Sequence, residues 1–496
     1  PDGGIVFVST RAKRWVNCWV TQVGTIHRCD GDGSNIRMLS ANVEHDNTPW
    51  VLNDGRIAYT RWEYVDRSQM GFHHLWTMNP DGTSQMVAFG NMHGGNVYID
   101  AKPIPGSSQL VLINSPGHGI IGHSGSVCLL SLENGPDDKS SLKTITKTGL
   151  FKDPYALSSD YFLAVGVNKE VKGRGVRNPK EPAHICVIDA KGTFTPIIEG
   201  RFSELNEPRP LIKRKRERVV PGLVDLKKKT GTLLLQDVTI GRKMKGVKKG
   251  EITKLLILET LPKPVNYGGY SWDMIPISWG GTFTIEGVLG TVPVEPDGSA
   301  HFEVPANRSI LFAALDKNNS CVKRMHSFLT VQPGETLSCV GCHEKRTAAP
   351  PNLKGLQALR RGPSPITPVP GVPQVIDYAR HIQPIWDKNC ISCHNPDKLK
   401  GDLDLSGDFG VAYFTSFIEL FATGQISDSR NAKGNTAPRT VGDSSSNLMK
   451  MLDGTHHNAK PTPAEVRMVQ TWINAGAPQT GTYAALGTGM LANRLN

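Results

Sequence analysis

Two pentapeptides in the C-terminal third of the chain hold residues that can do chemistry. They are Cys339-Val340-Gly341-Cys342-His343 and Cys390-Ile391-Ser392-Cys393-His394. In a Cys-x-x-Cys-His motif the two thiols reach the two vinyl groups of one porphyrin, and the adjacent imidazole can ligate its iron. Zinc knuckles also use Cys-x-x-Cys, but a His directly after the second Cys in both copies is unusual for them. The sequence therefore predicts two c-type haems, one at each cysteine pair.

The axial ligands of the second haem can be narrowed down from the residues around its motif. His394 is the expected proximal ligand, and His456 is the favoured sixth ligand because it lies in a loop before the closing helix. The other candidates near this motif are His381, His457, Met449 and Met451. Ligation by two histidines closes the iron and favours electron transfer over catalysis.

The first haem differs from the second in its expected ligands. His343 is the expected axial ligand, and the residues that follow it, Glu344-Lys345-Arg346-Thr347, supply no evident sixth ligand. His326 is the alternative that could reach back to the iron. An open sixth position is the expectation, and such a position can bind a small molecule. His45, Asp46, His118 and His123 are candidates for the lining of a pocket over this haem, although ordinary loop residues with satisfied hydrogen bonds are the favoured interpretation.

Composition sets the broad class of the protein. The 496 residues carry a net charge of +11 and contain 51 Gly and 34 Pro, which is typical of a turn-rich, mainly β chain of several domains. No apolar run reaches the length of about 18 residues that a membrane-spanning helix needs. The basic stretch 208–249 lacks interleaved aromatic residues, so we interpret it as solvated loops and expect no nucleic-acid partner.

The remaining cysteines and the start of the chain bear on its compartment. Cys18 and Cys29 are close enough in sequence to form a disulfide, while Cys128, Cys186 and Cys321 have no evident partner. Covalent haem attachment takes place outside the cytoplasm, where disulfides persist. We therefore expect a periplasmic or otherwise exported protein. The chain begins Pro1-Asp2-Gly3-Gly4, so we expect that a leader or a longer N-terminal piece has been removed.

The first half of the chain repeats a pattern of short strands and Asp-Gly turns. Such turns occur at Asp32-Gly33, Asp54-Gly55 and Asp81-Gly82, each flanked by apolar runs. Asp-Gly between apolar runs indicates a hairpin, and a period of about 40–50 residues with several strands per unit indicates propeller blades. The sequence predicts a β-propeller over 1–265, with an irregular β-sandwich as the alternative. Two apolar runs, 232–238 and 255–258, are expected to complete the last blade.

The rest of the chain divides into a β-rich and a helical part. A middle β domain over 266–350, with a hairpin over 292–304, carries the first haem motif, and a Pro/Gly-rich linker follows over 351–373. A helical cytochrome c domain is predicted over 374–484, and a tail over 485–496. Thr462-Pro463-Ala464-Glu465 is the capping box of its last helix. The predicted fold class is therefore multi-domain and mainly β with an α C-terminal domain.

Several stretches of the chain resemble hydrazine synthase α-subunit-like proteins. Those that carry the resemblance are Asp46-Asn47-Thr48-Pro49, Met78-Asn79-Pro80-Asp81-Gly82-Thr83, Gly290-Thr291-Val292-Pro293-Val294-Glu295-Pro296-Asp297-Gly298, Ser338-Cys339-Val340-Gly341-Cys342-His343-Glu344 and Thr471-Trp472-Ile473-Asn474-Ala475-Gly476. The resemblance runs from about residue 1 to residue 484. It implies an N-terminal propeller, a middle domain with one c-type haem and a C-terminal domain with a bis-His c-type haem.

The resemblance also implies a function and its partners. The synthase joins nitric oxide and ammonia into hydrazine within a multi-subunit complex, at the middle haem, whose iron a Tyr ligates four residues after the motif His. That position is Thr347 here. Since Thr is a poor iron ligand, this departure argues against hydrazine synthesis and returns His343 to the iron. In the synthase the motif His helps to bind zinc, so zinc or calcium is kept as a further cofactor candidate.

Three functions remain compatible with the sequence. The leading hypothesis is a dihaem c-type cytochrome that transfers electrons as a subunit of a complex with other redox or cytochrome subunits. In the second, the protein is an oxidoreductase that turns over a small nitrogen or oxygen compound at the middle haem. In the third, the propeller is an assembly scaffold within an array of cytochromes.

Overall fold

A computed structural model describes most of the chain as two compact units. The described residues are 2–17, 21–65, 67–68, 70–118, 121–167, 183–200, 205–264, 277–279, 284–342, 346–347, 355–410, 413–427 and 435–483. The first unit comprises Pro1–Ala12, Gly24–Tyr64 and Gln69–Asp225, and the second comprises Lys13–Val23, Val65–Ser68 and Leu226–Asn496. Among the described residues, every helix is too short or too polar to cross a membrane.

The first unit is built from antiparallel strands that follow one another along the chain. Its strands are β1 (Ile5–Ser9), β2 (Thr25–Cys29), β3 (Arg37–Met38), β4 (Asp46–Val51), β5 (Ile57–Trp62), β6 (His73–Met78), β7 (Met86–Phe89), β8 (Val97–Pro103), β9 (Leu110–Ser115), β10 (Ser126–Leu130), β11 (Leu142–Thr144), β12 (Leu150–Ala156), β13 (Tyr161–Val167), β14 (His184–Asp189) and β15 (Phe194–Ile198). Strands β1–β3, β4–β7, β8–β11 and β12–β15 form four successive meanders. A single parallel pair, His73 with Val97, joins the second meander to the third. The predicted Asp-Gly turns connect β2 to β3, β4 to β5 and β6 to β7.

The same irregularity recurs in the first strand of three meanders. Strands β4, β8 and β12 each contain a bulge, and the residue within it has a positive φ: Thr48, Asp100 and Asp153. Glu207 has the same conformation, so these residues recur at intervals of 52, 53 and 54. The structural repeat is therefore somewhat longer than the period of 40–50 residues expected from the turns. Apolar side chains of neighbouring meanders share one core, which includes Val111, Val127, Phe151 and Phe162.

The second unit begins with two β-sheets around a common core. Its strands are β16 (Thr230–Leu235), β17 (Ile252–Leu261), β18 (Ile285–Pro293), β19 (Ala300–Pro305), β20 (Ile310–Asp316), β21 (Cys321–Arg324) and β22 (Thr336–Cys339). One sheet has the order β19-β16-β22, and the other has the order β18-β17-β20-β21. Leu233, Ile257, Val292, Phe302 and Ala314 belong to one buried cluster, so the two sheets pack on each other through their apolar faces.

Two expectations about these strands are wrong. Strands β16 and β17, which were expected in the last blade, pair within the second unit, β16 with β19 and β22 and β17 with β18 and β20. The turn predicted within 292–304 forms, with Glu295 N–H donating to Ser299 O at 2.8 Å. However, the strands that flank it join different sheets. Because β18 pairs with β17 and β19 pairs with β16, strand β17 has a partner on each edge, and Val292 and Phe302 are buried in the shared core.

The last part of the chain is helical, as the sequence predicts. Its helices are α1 (Gln383–Asn389), α2 (Thr415–Ala422), α3 (Leu448–Met451) and α4 (Pro463–Asn474), and a π-helical turn, Tyr378–Ile382, leads into α1. The predicted capping box is present, since Thr462 and Glu465 exchange hydrogen bonds at the start of α4. Trp386 and Trp472 are fully buried, and the Trp386 indole N–H donates to Tyr378 Oη at 3.0 Å. This aromatic core holds α1 and α4 on either side of Tyr378.

Candidate functional site

The second Cys-x-x-Cys-His motif forms a tight turn directly after α1. Cys390 N–H donates to Trp386 O at 2.8 Å, and His394 N–H donates to Cys390 O at 3.1 Å. The thiols of Cys390 and Cys393 are not bridged, and Cys393 is exposed. The fully buried Trp386 fixes the end of α1, and the turn that follows presents both thiols on one short segment. The sequence supplies the two cysteines and the histidine, and the aromatic core behind α1 holds the turn that carries them in position.

His394 and His456 face each other across a gap of the size that an iron atom needs. Their ring centroids are 6.2 Å apart, and the ring planes are inclined by only 17°. With metal–nitrogen bonds of about 2.0–2.1 Å and ring centres about 1 Å behind the nitrogens, imidazoles on opposite sides of one metal have centroids about 6 Å apart. His394 Nδ1 is buried and has no hydrogen-bond partner. The residues present therefore fit a bis-His haem.

The loop that carries His456 is held in place by its own hydrogen bonds. The Asp453 carboxylate accepts from Thr455 N–H at 2.8 Å and from the Thr455 hydroxyl at 2.6 Å. Ala459 N–H closes a turn on His456 O at 3.0 Å. The pKa of His456 is lowered by partial burial and by the neighbouring rings of His457 and His394. A lowered pKa favours the neutral imidazole, which is the form that ligates metals.

The other histidine candidates near this motif are placed differently. His381 Nδ1 accepts a hydrogen bond from Asp377 N–H at 2.9 Å, so this ring caps the turn before α1. His457 is exposed and meets His456 edge-on, with ring centroids 4.6 Å apart. The ring that lies near-parallel to His394 at the distance of a shared metal is that of His456.

The first motif lies at the end of a β-strand. Cys339 is the last residue of β22, and backbone hydrogen bonds tie residues 339–342 to the turn that follows β16: Gln236 to Cys339 at 2.9 Å, Asp237 to Val340 at 3.0 Å and Cys342 to Ile240 at 2.6 Å. A Cβ atom at Gly341 would come within 2.2 Å of Ile240 O. Glycine is therefore required for the close contact between these two turns. His343 lies outside the described residues, and Thr347 is exposed.

A buried lysine lies near the first motif. Lys323, on β21, donates to Asn435 Oδ1 at 2.8 Å and also to Thr436 O. Burial lowers the pKa of Lys323 to about 8, and the Cys342 thiol partly opposes that shift. His326, the alternative haem ligand, is buried and lines a small cavity with Thr260, Thr284 and Glu286.

Buried polar contacts join the helical region to strand β21. Arg324 forms an ion pair of 2.6 Å with Glu286, and its Nε–H donates to Asn474 O at 2.9 Å. The Asp443 carboxylate accepts from Cys321 N–H at 2.7 Å. The sequence analysis missed these residues, although a Lys-Arg pair that follows the apolar Cys321-Val322 was a usable signal for a buried charge.

In the first unit, the predicted pocket residues lie in or beside a cluster of histidines. His118 Nδ1 is 3.1 Å from His73 Nε2, and the His73 and His123 ring centroids are 6.0 Å apart. Trp62 stacks on His73 at 5.0 Å and on His45 at 6.2 Å. Sequence reasoning missed His73, and its signal was the pair His73-His74 at the start of an otherwise apolar strand. The predicted role of these residues as the lining of a haem pocket stays a prediction.

Burial dominates the electrostatics of this cluster. It lowers the pKa values of His45, His118 and His123, and with the neighbouring histidines it lowers the pKa of His73 to about 2. All four rings are therefore neutral at pH 7. Asp46, the remaining candidate, is buried and accepts a hydrogen bond from the Asn42 amide at 3.1 Å.

Three carboxylates of the first unit also come together. The oxygens of Asp100, Asp153 and Glu207 lie within 4.8 Å of one another because the structural repeat places these residues at equivalent positions. Burial and the neighbouring carboxylates raise the pKa of Asp100 to about 6, while Lys102 opposes the shift. Of the predicted disulfide, Cys18 lies outside the described residues, so its pairing with Cys29 stays a prediction.

Comparison with known proteins relates the middle of the chain to a known family and its fold to a solved structure. Residues 250–344 match the family model of the hydrazine synthase alpha subunit middle domain. Among solved structures, hydrazine synthase from Kuenenia stuttgartiensis matches with a TM-score of 0.75 and 16% identity over 97% of this chain and 81% of that chain. TolB from Acinetobacter baumannii matches 41% of this chain and 42% of its own, with 13% identity and a TM-score of 0.28. No curated protein sequence matches significantly.

These findings define a multi-domain, mainly β protein with a small helical C-terminal region and the fold of hydrazine synthase. Residues 250–344 are thus similar to the middle domain of the hydrazine synthase alpha subunit, and the overall fold is similar to that of hydrazine synthase. The resemblance drawn from the sequence motifs is thereby confirmed.

Proposed function

We propose that the protein is an exported dihaem c-type cytochrome that transfers electrons as a subunit of a multi-protein redox complex. The observation that carries this proposal is the spacing of His394 and His456, whose near-parallel rings are 6.2 Å apart on either side of a gap beside two unbridged cysteines. A Cys-x-x-Cys turn with such a histidine pair matches the donor set of a low-spin c-type haem.

Each residue of the second site has a distinct role in this proposal. Cys390 and Cys393 would anchor the porphyrin, and His394 and His456 would occupy both axial positions. When bound, the haem supplies one-electron chemistry at a closed iron. The aromatic core around Trp386 keeps α1 rigid, and the Asp453–Thr455 turn holds His456 in place. A site whose ligands move little needs little reorganisation when an electron arrives.

The first site would hold its haem differently. Cys339 and Cys342 are the proposed anchors and His343 the proposed axial ligand, on a β-strand end that several backbone hydrogen bonds support. Buried contacts between β21 and the helical region, centred on Arg324, would keep the two sites at a constant separation. Electron transfer between two cofactors in one chain depends on such a constant distance.

The complex and the propeller are further parts of the proposal. The fold of hydrazine synthase and the family of the middle domain support a role as one subunit among several. Three of the N-terminal meanders carry a bulge at equivalent positions, 52 and 53 residues apart, and this repeat supports blades of a β-propeller.

Haem content and ligand binding test the proposal in the purified full-length protein. The pyridine haemochrome spectrum should give two haems per chain, and the oxidised protein should show a low-spin haem. A content of one or none would refute the dihaem assignment. Carbon monoxide added to the reduced protein should leave the second haem unchanged. A carbon monoxide complex of the first haem would support the alternative oxidoreductase function, because it would show an open iron.

A further inference from the structure

We propose that a cleft in the second unit binds a small carboxylate anion with a short apolar body. The lining of the cleft comes from strands β17, β18 and β20, from residues 369–370 and from helix α4. Its volume is about 200 Å³. Small-molecule sites often lie where two parts of a protein meet, as the β-sheet and the helical region do here. This proposal does not depend on the haems or on electron transfer.

Two cationic side chains line the cleft from different elements. Lys254 lies on β17 and Arg467 lies on α4. The Lys254 ammonium donates to Asn319 Oδ1 at 3.0 Å, and Arg467 Nε–H donates to Pro370 O at 2.9 Å. Both acceptors are uncharged, and among the described residues that line the cleft there is no Asp or Glu. The described lining therefore presents two positive charges and no carboxylate that would neutralise them.

The donors that remain on these two side chains suit a carboxylate. A lysine ammonium carries three N–H donors and an arginine guanidinium carries five in a planar fork. Asn319 uses one donor of Lys254, and Pro370 uses the Nε–H of Arg467, so the terminal nitrogens of Arg467 are left for a ligand. An arginine fork binds a carboxylate through two parallel N–H···O bonds. We therefore place the carboxylate at Arg467, with the Lys254 ammonium as the second positive charge.

The apolar lining and the size of the cleft favour an organic anion over an inorganic one. Leu256 and Leu315 are buried and line the cleft. Leu256 is on the same face of β17 as Lys254, because side chains two residues apart in a strand point the same way. Leu315 lies opposite Lys254 in the pairing of β17 with β20. A cavity of about 150 Å³ holds a benzene molecule, so this cleft has room for a carboxylate with several carbon atoms.

Butyrate, whose carboxylate carries a short alkyl chain, is the probe that tests the cleft. The full-length protein, with its haems, is dialysed to equilibrium against labelled butyrate at low ionic strength, and unlabelled butyramide or sulfate is added as a competitor. The dialysis is repeated with Arg467→Gln and Lys254→Met. Arg380→Gln and Lys229→Met are the matched controls, since both side chains are exposed and lie outside the lining of the cleft. Urea unfolding curves and haem spectra show whether each variant is folded.

We expect the wild-type protein and both controls to bind butyrate at a single site. Each cleft variant should bind it at least about 10-fold more weakly, because each loses hydrogen bonds or charge directed at a carboxylate. Butyramide should compete poorly, since it has the same shape without the charge, and added salt should weaken binding.

Three results would overturn the proposal. The first is a wild-type protein that binds no butyrate. The second is binding that persists in both cleft variants and changes the haem absorption spectrum, which would place the anion on an open iron and leave the proposed haem function untouched. The third is competition by sulfate as strong as that of unlabelled butyrate, which would show a site for any anion and no selection of a carboxylate.

Discussion

The two Cys-x-x-Cys segments have nearly the same sequence pattern and opposite structural surroundings. Residues 339–342 end a β-strand and are bound through their backbone to the turn after β16. Residues 390–394 follow a short helix, and Cys393 is exposed. In the second segment the ring of His456 lies near-parallel to that of the motif histidine His394, whereas the motif histidine of the first segment, His343, lies outside the described residues. The same short motif therefore occurs in two structural settings, and only the surrounding elements can bring a second histidine to it.

Removing the cysteines of each motif is the strongest test of this comparison. Cys390→Ala with Cys393→Ala should halve the haem content in the pyridine haemochrome assay, because a c-type haem is held by its two thioether bonds. Cys339→Ala with Cys342→Ala should halve it as well, and the lost spectrum should be that of the other haem. Unchanged content in either variant would mean that the motif concerned does not attach haem.

The next largest effect should come from removing the proposed distal ligand of the second haem, which should change that haem and leave the first unchanged. His456→Ala should convert the second haem from low spin to high spin, since one axial nitrogen is lost, and the absorption and electron paramagnetic resonance spectra would report it. His457→Ala is the matched control, because this neighbouring ring is exposed and lies edge-on to His456. If His457→Ala gave the high-spin spectrum instead, the ligand assignment would be wrong.

Breaking the buried ion pair tests whether the two sites are held together. Arg324→Ala removes one member of a buried ion pair with Glu286, so we expect a loss of about 3–5 kcal/mol in the free energy of unfolding. Arg56→Ala removes one member of an ion pair with Asp54 in which both side chains are exposed, and should lower it by only about 0–1 kcal/mol. Urea unfolding curves of the two variants measure the difference, and equal values would show that Arg324 does not stabilise the docking.

The pH dependence of the reduction potential should differ between the two sites by a smaller amount. Lys323 has a pKa lowered to about 8, mainly by burial, and lies near Cys342. It is charged below that pH and neutral above it, so the loss of a nearby positive charge should stabilise the oxidised first haem. Its potential should therefore fall by roughly tens of millivolts as the pH rises through 8. Spectroelectrochemical titration of Lys323→Met should show no such step, and a step that persists would assign it to another group.

The smallest expected effect concerns the helix behind the second site. Thr462→Ala removes the side chain that accepts from Glu465 N–H at the start of α4. The free energy of unfolding should fall by about 1 kcal/mol, the usual contribution of an N-cap. Thr423→Ala provides a comparison, since Thr423 is exposed at the end of α2 and its hydroxyl donates only to Glu419 O. A larger effect at Thr423 would contradict the role of the capping box.

Local sequence signals predicted local structure well. The Asp-Gly turns, the capping box at Thr462 and the helical C-terminal region were all predicted correctly, because each depends on residues that are neighbours in the chain. The hairpin over 292–304 shows the limit of such signals. Its turn forms as expected, but the partners of β18 and β19 depend on which apolar faces can be buried together, and that choice involves strands far away in sequence.

The sequence by itself determined two pairs of cysteines that are each followed by a histidine, and a middle segment that matches a known family model. The tertiary structure alone decided which distant residues meet. His456 faces His394, His73 meets His118, and Arg324 is enclosed between β21 and α4. The reason is physical. Covalent attachment needs only a two-residue spacing, whereas an axial ligand or a buried charge needs a partner that only the packing of whole elements brings within reach.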